Sequence, residues 1–170
     1  MGFWAIDEIS KKMDIKIDKK KFDALIGEGY YKGEKLLLVK PQTYMNLSGE
    51  SVKQIVDFYK IDIEDLIVIY DDIDIEIGSI RIKPSGGTGT HNGMRNIYNL
   101  LGNTEFPRIR IGTGKVSPKI DLKDFVLMKM SKEEVEIVEK VVENVYNSLI
   151  EILEHGLGKA MSIYNGKNEV

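Results

Sequence analysis

Apolar and polar residues alternate along this chain with two different periods, which predicts a mixture of helices and strands. Residues 3–13 repeat apolar side chains every three to four positions, as expected of an amphipathic helix. The runs "DALIGEGYY" and "EKLLLVK" lie on either side of Lys32 and Gly33. This arrangement is typical of a β-hairpin, because glycine accepts the positive φ of a tight turn.

The rest of the chain continues this alternation. A helical pattern follows Ser48, and the apolar run "LIVIY" at residues 66–70 suits a strand that is covered on both faces. "SIRIK" and "PRIRIG" alternate as strands, with a helix over residues 92–101 between them, and an apolar stripe from Val135 to Ile152 predicts a long helix. The order predicts a single α/β domain over residues 1–170, with a mixed β-sheet flanked by helices.

Composition narrows the classes of protein. No run approaches the ~20 apolar residues of a membrane span, and the N-terminus lacks the layout of a signal peptide, so we expect a cytoplasmic protein without a membrane partner. The chain has no cysteine and only two histidines, His91 and His155, which excludes disulfides, thiol nucleophiles and zinc sites rich in Cys or His. We therefore expect a site built from carboxylates, amides, hydroxyls or one imidazole, with no cofactor.

The net charge of −3 is unevenly distributed. Residues 79–123 contain eight basic and two acidic side chains, so this basic stretch carries +6 and the rest of the chain carries −9. A local excess of Lys and Arg is the footprint that phosphate binding requires. A solvated strand face with alternating charge is the other interpretation.

Three carboxylates, those of Asp71, Asp72 and Asp74, follow the apolar run at residues 66–70. In open α/β sheets, ligands bind at the carboxyl ends of strands. Asp71 comes first and is the better candidate for orienting and stabilising a catalytic imidazole. The acidic residues can instead hold a divalent metal ion, or form an ordinary solvated turn.

Two polar segments add candidate binding groups. In "SGGTGTHNG", Asn92 opens the predicted helix and can direct its amide and backbone N–H groups at an anion, although the segment lacks the G-K-[ST] of a Walker loop and the third glycine of a dinucleotide motif. In "KPQTYMNLSG", Tyr44 offers a ring for stacking and Asn46 an amide that both donates and accepts hydrogen bonds. Each asparagine can equally be a helix cap.

Taken in order, "KPQTYMNLSGESV", "DDIDIEIGSIRIKPSGGTGTHNGMRNI", "FPRIRIGTGK" and "GLGKAMSIYN" resemble bacterial peptidyl-tRNA hydrolases, with matching spacings from Gly2 to the C-terminus. The resemblance implies a monomeric cytoplasmic enzyme that cleaves the ester between a peptide and the 3′ ribose of tRNA. Its partner would be peptidyl-tRNA, bound through the acceptor end and the phosphate backbone.

The resemblance also implies roles for individual residues. Asn46 and Asn92 would contact the substrate near the scissile ester, Tyr44 would line the site of the tRNA 3′ end, and Asp71 would orient the catalytic histidine. His91 corresponds to a histidine that the family carries in addition to its base, so it receives no primary role and is a secondary candidate. Secondary candidates, for contact with tRNA phosphates, are Arg95, Arg108, Lys115 and Lys119.

Family members open with a strand, a G-L-G-N-P-G loop and a T-R-H-N stretch whose histidine is the general base. Met1 matches the variable position after that stretch, so we expect the first strand and the general base to lie upstream of residue 1. Asp71 would then lack its histidine within residues 1–170. Two other functions stay open: a truncated, non-catalytic tRNA-binding relic, and a metal-dependent phosphoesterase built on Asp71, Asp72 and Asp74.

Overall fold

Helices and strands follow one another much as the apolar pattern predicts. The computed structural model describes residues 1–114 and 132–166, except for the side chains of residues 132–135. In chain order, its helices and strands are α1 (Gly2–Met13), β1 (Lys19–Lys21), β2 (Ala24–Tyr31), β3 (Glu34–Pro41), α2 (Ser48–Tyr59), β4 (Val68–Asp72), β5 (Ile80–Lys83), α3 (Asn92–Leu101), β6 (Arg108–Gly112), α4 (Lys132–His155) and α5 (Leu157–Tyr164). Short 3₁₀ turns cover Met45–Leu47 and Ile63–Asp65.

These elements belong to two compact units. The hairpin unit consists of Ile6–Val68 and Pro84–Pro107, and the C-terminal unit consists of Met1–Ala5, Ile69–Lys83 and Arg108–Val170. Each unit has its own three-stranded sheet, in the order β1-β2-β3 in the hairpin unit and β4-β6-β5 in the C-terminal unit.

The hairpin unit is built on the antiparallel pair β2 and β3, whose register joins Tyr31 to Glu34. Lys32 and Gly33 form the turn with φ values of 48° and 89°, which match the two positive φ angles of a type I′ turn. The sheet packs against α2 through Ala24, Ile26 and Ile55, which are almost fully buried. Helix α2 in turn contacts α3.

In the C-terminal unit, strands β5 and β6 are antiparallel, with Ile80 opposite Ile111. Helix α4 buries a stripe of apolar residues with the expected helical spacing: Val138, Val141, Val142, Val145 and Leu149. The chain then turns through Gly156 (φ 87°) into α5, which contacts α4 and β5. After α5, the side-chain amide of Asn165 accepts a hydrogen bond from the Ile82 N–H and donates one to the Ile82 carbonyl.

The predicted α/β class is confirmed, and the strands divide between two small sheets where the sequence predicted one mixed sheet. The strand expected at residues 66–70 begins at Val68 and continues to Asp72, so Asp71 lies within the strand and not after it. Val135, at the start of the predicted stripe, lies outside the described side chains. No helix in the described part of the chain is long and apolar enough to cross a bilayer.

Candidate active site

Asp71 lies on β4 of the C-terminal unit and is partly exposed. The start of α1 packs directly on this strand, because a Cβ atom on Gly2 would lie only 2.6 Å from the Ile69 carbonyl oxygen. The Met1 nitrogen is consequently 3.6 Å from Asp71 Oδ1. The carboxylate therefore sits where the first residues of α1 meet the end of a strand.

The neighbouring carboxylate, Asp72, is held by the protein itself. Its Oδ2 atom accepts a hydrogen bond from Arg110 Nε at 2.8 Å and lies 2.8 Å from Arg110 Nη2. Its Oδ1 atom accepts a hydrogen bond from the Asp74 N–H at 2.9 Å, which closes an Asx turn. The backbone carbonyl of Asp72 also accepts a bond from the Thr113 N–H. Asp72 thus anchors the strand end that carries Asp71.

These contacts bear on the metal hypothesis. Among residues 1–114 and 132–166, no group of three or more acidic, His or Cys side chains has the arrangement of a metal site. Both oxygens of Asp72 already have donors in Arg110 and the Asp74 N–H. These contacts therefore favour a structural role for the acidic turn, and the alternative function as a metal-dependent phosphoesterase is not supported.

The segment after β3 presents Tyr44 and Asn46 to solvent. Tyr44 is 82% exposed, and Asn46 is also exposed within the 3₁₀ turn. The turn is closed by a hydrogen bond from the Leu47 N–H to the Tyr44 carbonyl at 2.9 Å, and the Ser48 hydroxyl donates to the Met45 carbonyl at 2.8 Å. An aromatic ring and an amide are thus displayed on a short backbone segment with defined hydrogen bonds.

Helix α3 begins at Asn92, which is exposed, and its N-cap residue is His91. His91 Nδ1 accepts a hydrogen bond from the Met94 N–H at 3.1 Å. A neutral imidazole used in this way carries its proton on Nε2, and a protonated one has no acceptor for the cap. His91 therefore has a structural task, and the Nδ1 lone pair that caps α3 is not available to take a proton from water while this bond is made.

Within the hairpin unit, the segment that carries Asn46 contacts the start of α3 that carries Asn92. The 3₁₀ turn packs against α3 at Gly93, where a Cβ atom would lie 2.9 Å from Met45 Sδ. One turn later, Asn96 Oδ1 accepts a hydrogen bond from the Gly49 N–H at 2.6 Å. The two predicted amide residues, distant in sequence, therefore stand on adjoining elements.

The candidate phosphate contacts differ in their surroundings. Arg95 is exposed on the first turn of α3. Arg108 is only 1% exposed and hydrogen-bonded to Tyr70, whose hydroxyl pKa is raised by burial, so its side chain is not presented to a phosphate backbone. The sequence argument did not predict that Arg108 is buried. Basic and apolar residues alternate along β6, which suggested an exposed basic face, but the first arginine of the strand faces inward. Lys115 and Lys119 lie outside the described residues.

Sequence reasoning did not single out Asn96 or Arg110, whose contacts hold elements that carry candidate residues. Asn96 is four residues after Asn92, so the two share one face of α3, and this spacing was the available signal. Arg110 lies on a strand beside β4, but no pattern in the sequence specifies that strands β4 and β6 are neighbours. Both residues act through other side chains or backbone groups, which single-residue arguments do not detect.

Comparison with known proteins places the chain in one family. The family model described as peptidyl-tRNA hydrolase matches residues 1–170. The peptidyl-tRNA hydrolase of Caldanaerobacter subterraneus is 49% identical over 98% of this chain and 89% of its own length, and that of Clostridium botulinum is 46% identical over 98% and 86%.

Solved structures agree. A crystal structure of a peptidyl-tRNA hydrolase in complex with N-propanol superposes with a TM-score of 0.92 at 30% identity, covering 99% of this chain and 86% of that one. The peptidyl-tRNA hydrolase of Acinetobacter baumannii gives a TM-score of 0.89 at 31% identity, covering 96% and 84%. The chain therefore belongs to the peptidyl-tRNA hydrolase family.

Proposed function

We propose that this protein hydrolyses the ester that joins a peptide to the 3′ ribose of tRNA, releasing tRNA from stalled or aborted translation. Family membership over residues 1–170 supports this reaction. The observation that carries it in the structure is the contact between the segments that bear Asn46 and Asn92, because it presents two exposed amides from one compact unit. Amides are suited to an ester carbonyl, which accepts hydrogen bonds in the substrate and gains negative charge during attack.

The proposed reaction is attack by water. A base takes a proton from the water, the water oxygen bonds to the ester carbonyl carbon, and the tetrahedral intermediate expels the 3′ oxygen of the ribose, which takes up a proton. Asn46 and Asn92 hold the ester and donate hydrogen bonds to it. Fixed donors of this kind contribute factors of about 10² or more in rate at other enzymes that cleave acyl groups.

The carboxylate of Asp71 serves to orient and charge-stabilise the imidazole that takes the proton, since an acid beside a histidine fixes its tautomer and favours its protonated form. The family resemblance gives the base role to the histidine of the T-R-H-N stretch, which does not occur in residues 1–170. His91 is an unsuitable replacement because its Nδ1 atom caps α3.

Binding of the tRNA involves other exposed groups. The ring of Tyr44, 82% exposed, is open to stacking with a base of the acceptor end. Arg95 is exposed one turn into the same helix as Asn92 and offers a charge to a nearby phosphate. The proposal includes a monomeric, single-domain protein in the cytoplasm that needs no cofactor.

The test is single-turnover hydrolysis of a defined peptidyl-tRNA by a chain that carries the T-R-H-N stretch ahead of residue 1, with and without excess EDTA. We expect turnover that is insensitive to EDTA, and losses of about 10²-fold or more in Asn46→Ala and Asn92→Ala. Binding of tRNA without turnover would indicate the non-catalytic relic. Turnover lost in EDTA and restored by Mg²⁺ would indicate metal-dependent chemistry.

A further inference from the structure

The N-terminus of α2 is capped from another helix. Its N-cap residue, Leu47, provides no side-chain hydrogen bond, although the first turn of any helix leaves backbone N–H groups without intrahelical acceptors. The acceptor comes from α3, where Asn96 Oδ1 accepts a hydrogen bond from the Gly49 N–H at 2.6 Å. The amide of Asn96 thus does for α2 what a capping residue normally does from within the same chain segment.

The two helices also touch at this point without intervening side chains. Gly49 is buried, and a Cβ atom there would lie 2.6 Å from the Asn96 backbone oxygen and 2.7 Å from its carbonyl carbon. Such distances exclude any side chain larger than hydrogen unless the helices separate. The close approach of the two backbones and the hydrogen bond from the Gly49 N–H to Asn96 Oδ1 together fix α2 against α3 at this pair of residues.

This contact lies within four residues of both proposed substrate amides along the chain. Asn46 precedes Gly49 by three residues, through the 3₁₀ turn, and Asn92 precedes Asn96 by one turn of α3. One helical turn rises about 5.4 Å. A shift at the Gly49–Asn96 contact is therefore transmitted to Asn46 and Asn92 over one turn of backbone on each side.

We propose that Asn96 is a positioning residue for catalysis, which sets the distance between the amides of Asn46 and Asn92 by capping α2 from α3. The inference rests on the proposed function for its effect on rate, but its structural part concerns the free protein. The inference requires a hydrogen-bond acceptor in the side chain at position 96, so it separates substitutions that keep an acceptor from those that remove it. Aspartate preserves one, and a carboxylate is also favourable at a helix N-terminus, whereas leucine of similar size has none.

The experiment compares Asn96→Leu, Asn96→Ala and Asn96→Asp in the chain used above. Asn99→Leu is the matched control, because Asn99 is exposed on the same helix. We expect kcat to fall roughly 10-fold or more in the Leu and Ala variants, since small misplacements of catalytic groups cost such factors, with a smaller change in KM. Asp should restore kcat to within about threefold of the wild type, and the control should match the wild type.

A second measurement is independent of turnover. Hydrogen exchange at the Gly49 amide and the NMR signals of the Asn46 and Asn92 side-chain amides are recorded without substrate. We expect faster exchange and shifted signals in the Leu and Ala variants and not in Asp. Folded Leu and Ala variants with wild-type kcat and unshifted signals would overturn the inference. If the wild type itself has no turnover, the proposed function fails, and the exchange and the signals still decide the role of Asn96.

Discussion

The hydroxyl of Tyr59, at the end of α2, donates a 2.8 Å hydrogen bond to Oε1 of Glu28 on β2. The same carboxylate pairs with Lys35 at 3.1 Å and Lys19 at 3.3 Å. The Tyr59 hydroxyl, followed by the two lysines, lowers the pKa of Glu28 to about 2 from the ordinary 4.5. One acidic side chain thus joins α2 to all three strands of the hairpin sheet.

This cluster predicts a pH dependence of stability. A lowered pKa means that the ionised carboxylate favours the folded state, so its contribution is present above pH 4.5 and is lost as the pH falls through about 2. We expect Glu28→Gln to lower the urea midpoint at pH 7, and the difference from the wild type to shrink between pH 4.5 and 2. Glu34→Gln, on the same sheet, is the control. A difference that stays constant over this range would contradict the assignment.

Asp71→Asn tests the carboxylate of β4. The amide keeps the size of the side chain but removes the charge that stabilises a protonated imidazole, so we expect kcat to fall roughly 10²-fold with little change in tRNA affinity or thermal stability. Asp74→Asn is the matched control, because Asp74 is exposed two residues after the anchoring Asp72. Wild-type kcat in Asp71→Asn would remove this residue from the mechanism.

The Asp72–Arg110 pair predicts a structural effect that can be separated from catalysis. Its side chains are 11% and 20% exposed, so removing either partner leaves a largely buried charge without its counterion. We expect Asp72→Asn and Arg110→Gln each to lower the free energy of unfolding by about 2 kcal/mol. The double variant should lose clearly less than the sum of the two. Strict additivity in denaturant unfolding would show that the two side chains do not interact.

Arg95→Ala tests the phosphate contact. A side chain that neutralises one phosphate releases counterions, so its loss should weaken tRNA binding and reduce the slope of log K against log salt by about 0.7 to 0.9. Lys53→Ala is a suitable control, because Lys53 already pairs with Asp57 at 2.8 Å in the same unit. An unchanged slope for Arg95→Ala would make Arg95 an ordinary surface charge.

The sequence predicted elements whose stability is decided locally. Helices α1 and α3 and the hairpin at Lys32 and Gly33 appear as expected, because helical spacing and turn chemistry operate over a few residues. Strand β1 was missed. Its three lysines are all exposed and show no alternation of apolar residues; it forms through backbone pairing with β2, which depends on residues elsewhere in the chain.

The site was predicted less completely, for a related reason. Asn46, Asn92 and Asp71 were singled out from sequence motifs as groups able to bond a ligand or orient an imidazole. Only the family resemblance linked the two amides to an ester, and these roles stay predictions. Asn96 and Gly49 gained significance only from their 2.6 Å contact, and Arg110 only from its place beside Asp72. Arg108 is an example of the opposite kind, because the sequence pattern suggested a basic surface residue and its side chain is buried. Contacts between residues that are distant in sequence depend on how the whole chain packs, so a local sequence pattern does not predict them.

The hydrogen bonds between Asn165 and Ile82 have a consequence for association between chains. Strand β5 is at the edge of its sheet as far as the described strands show, and an open edge offers N–H and C=O groups to any extended segment. The Asn165 amide supplies one acceptor and one donor to Ile82, as a residue of a neighbouring strand would. A side chain after the last helix thus acts as a one-residue substitute for a strand, and it blocks the middle of this edge against pairing with another molecule.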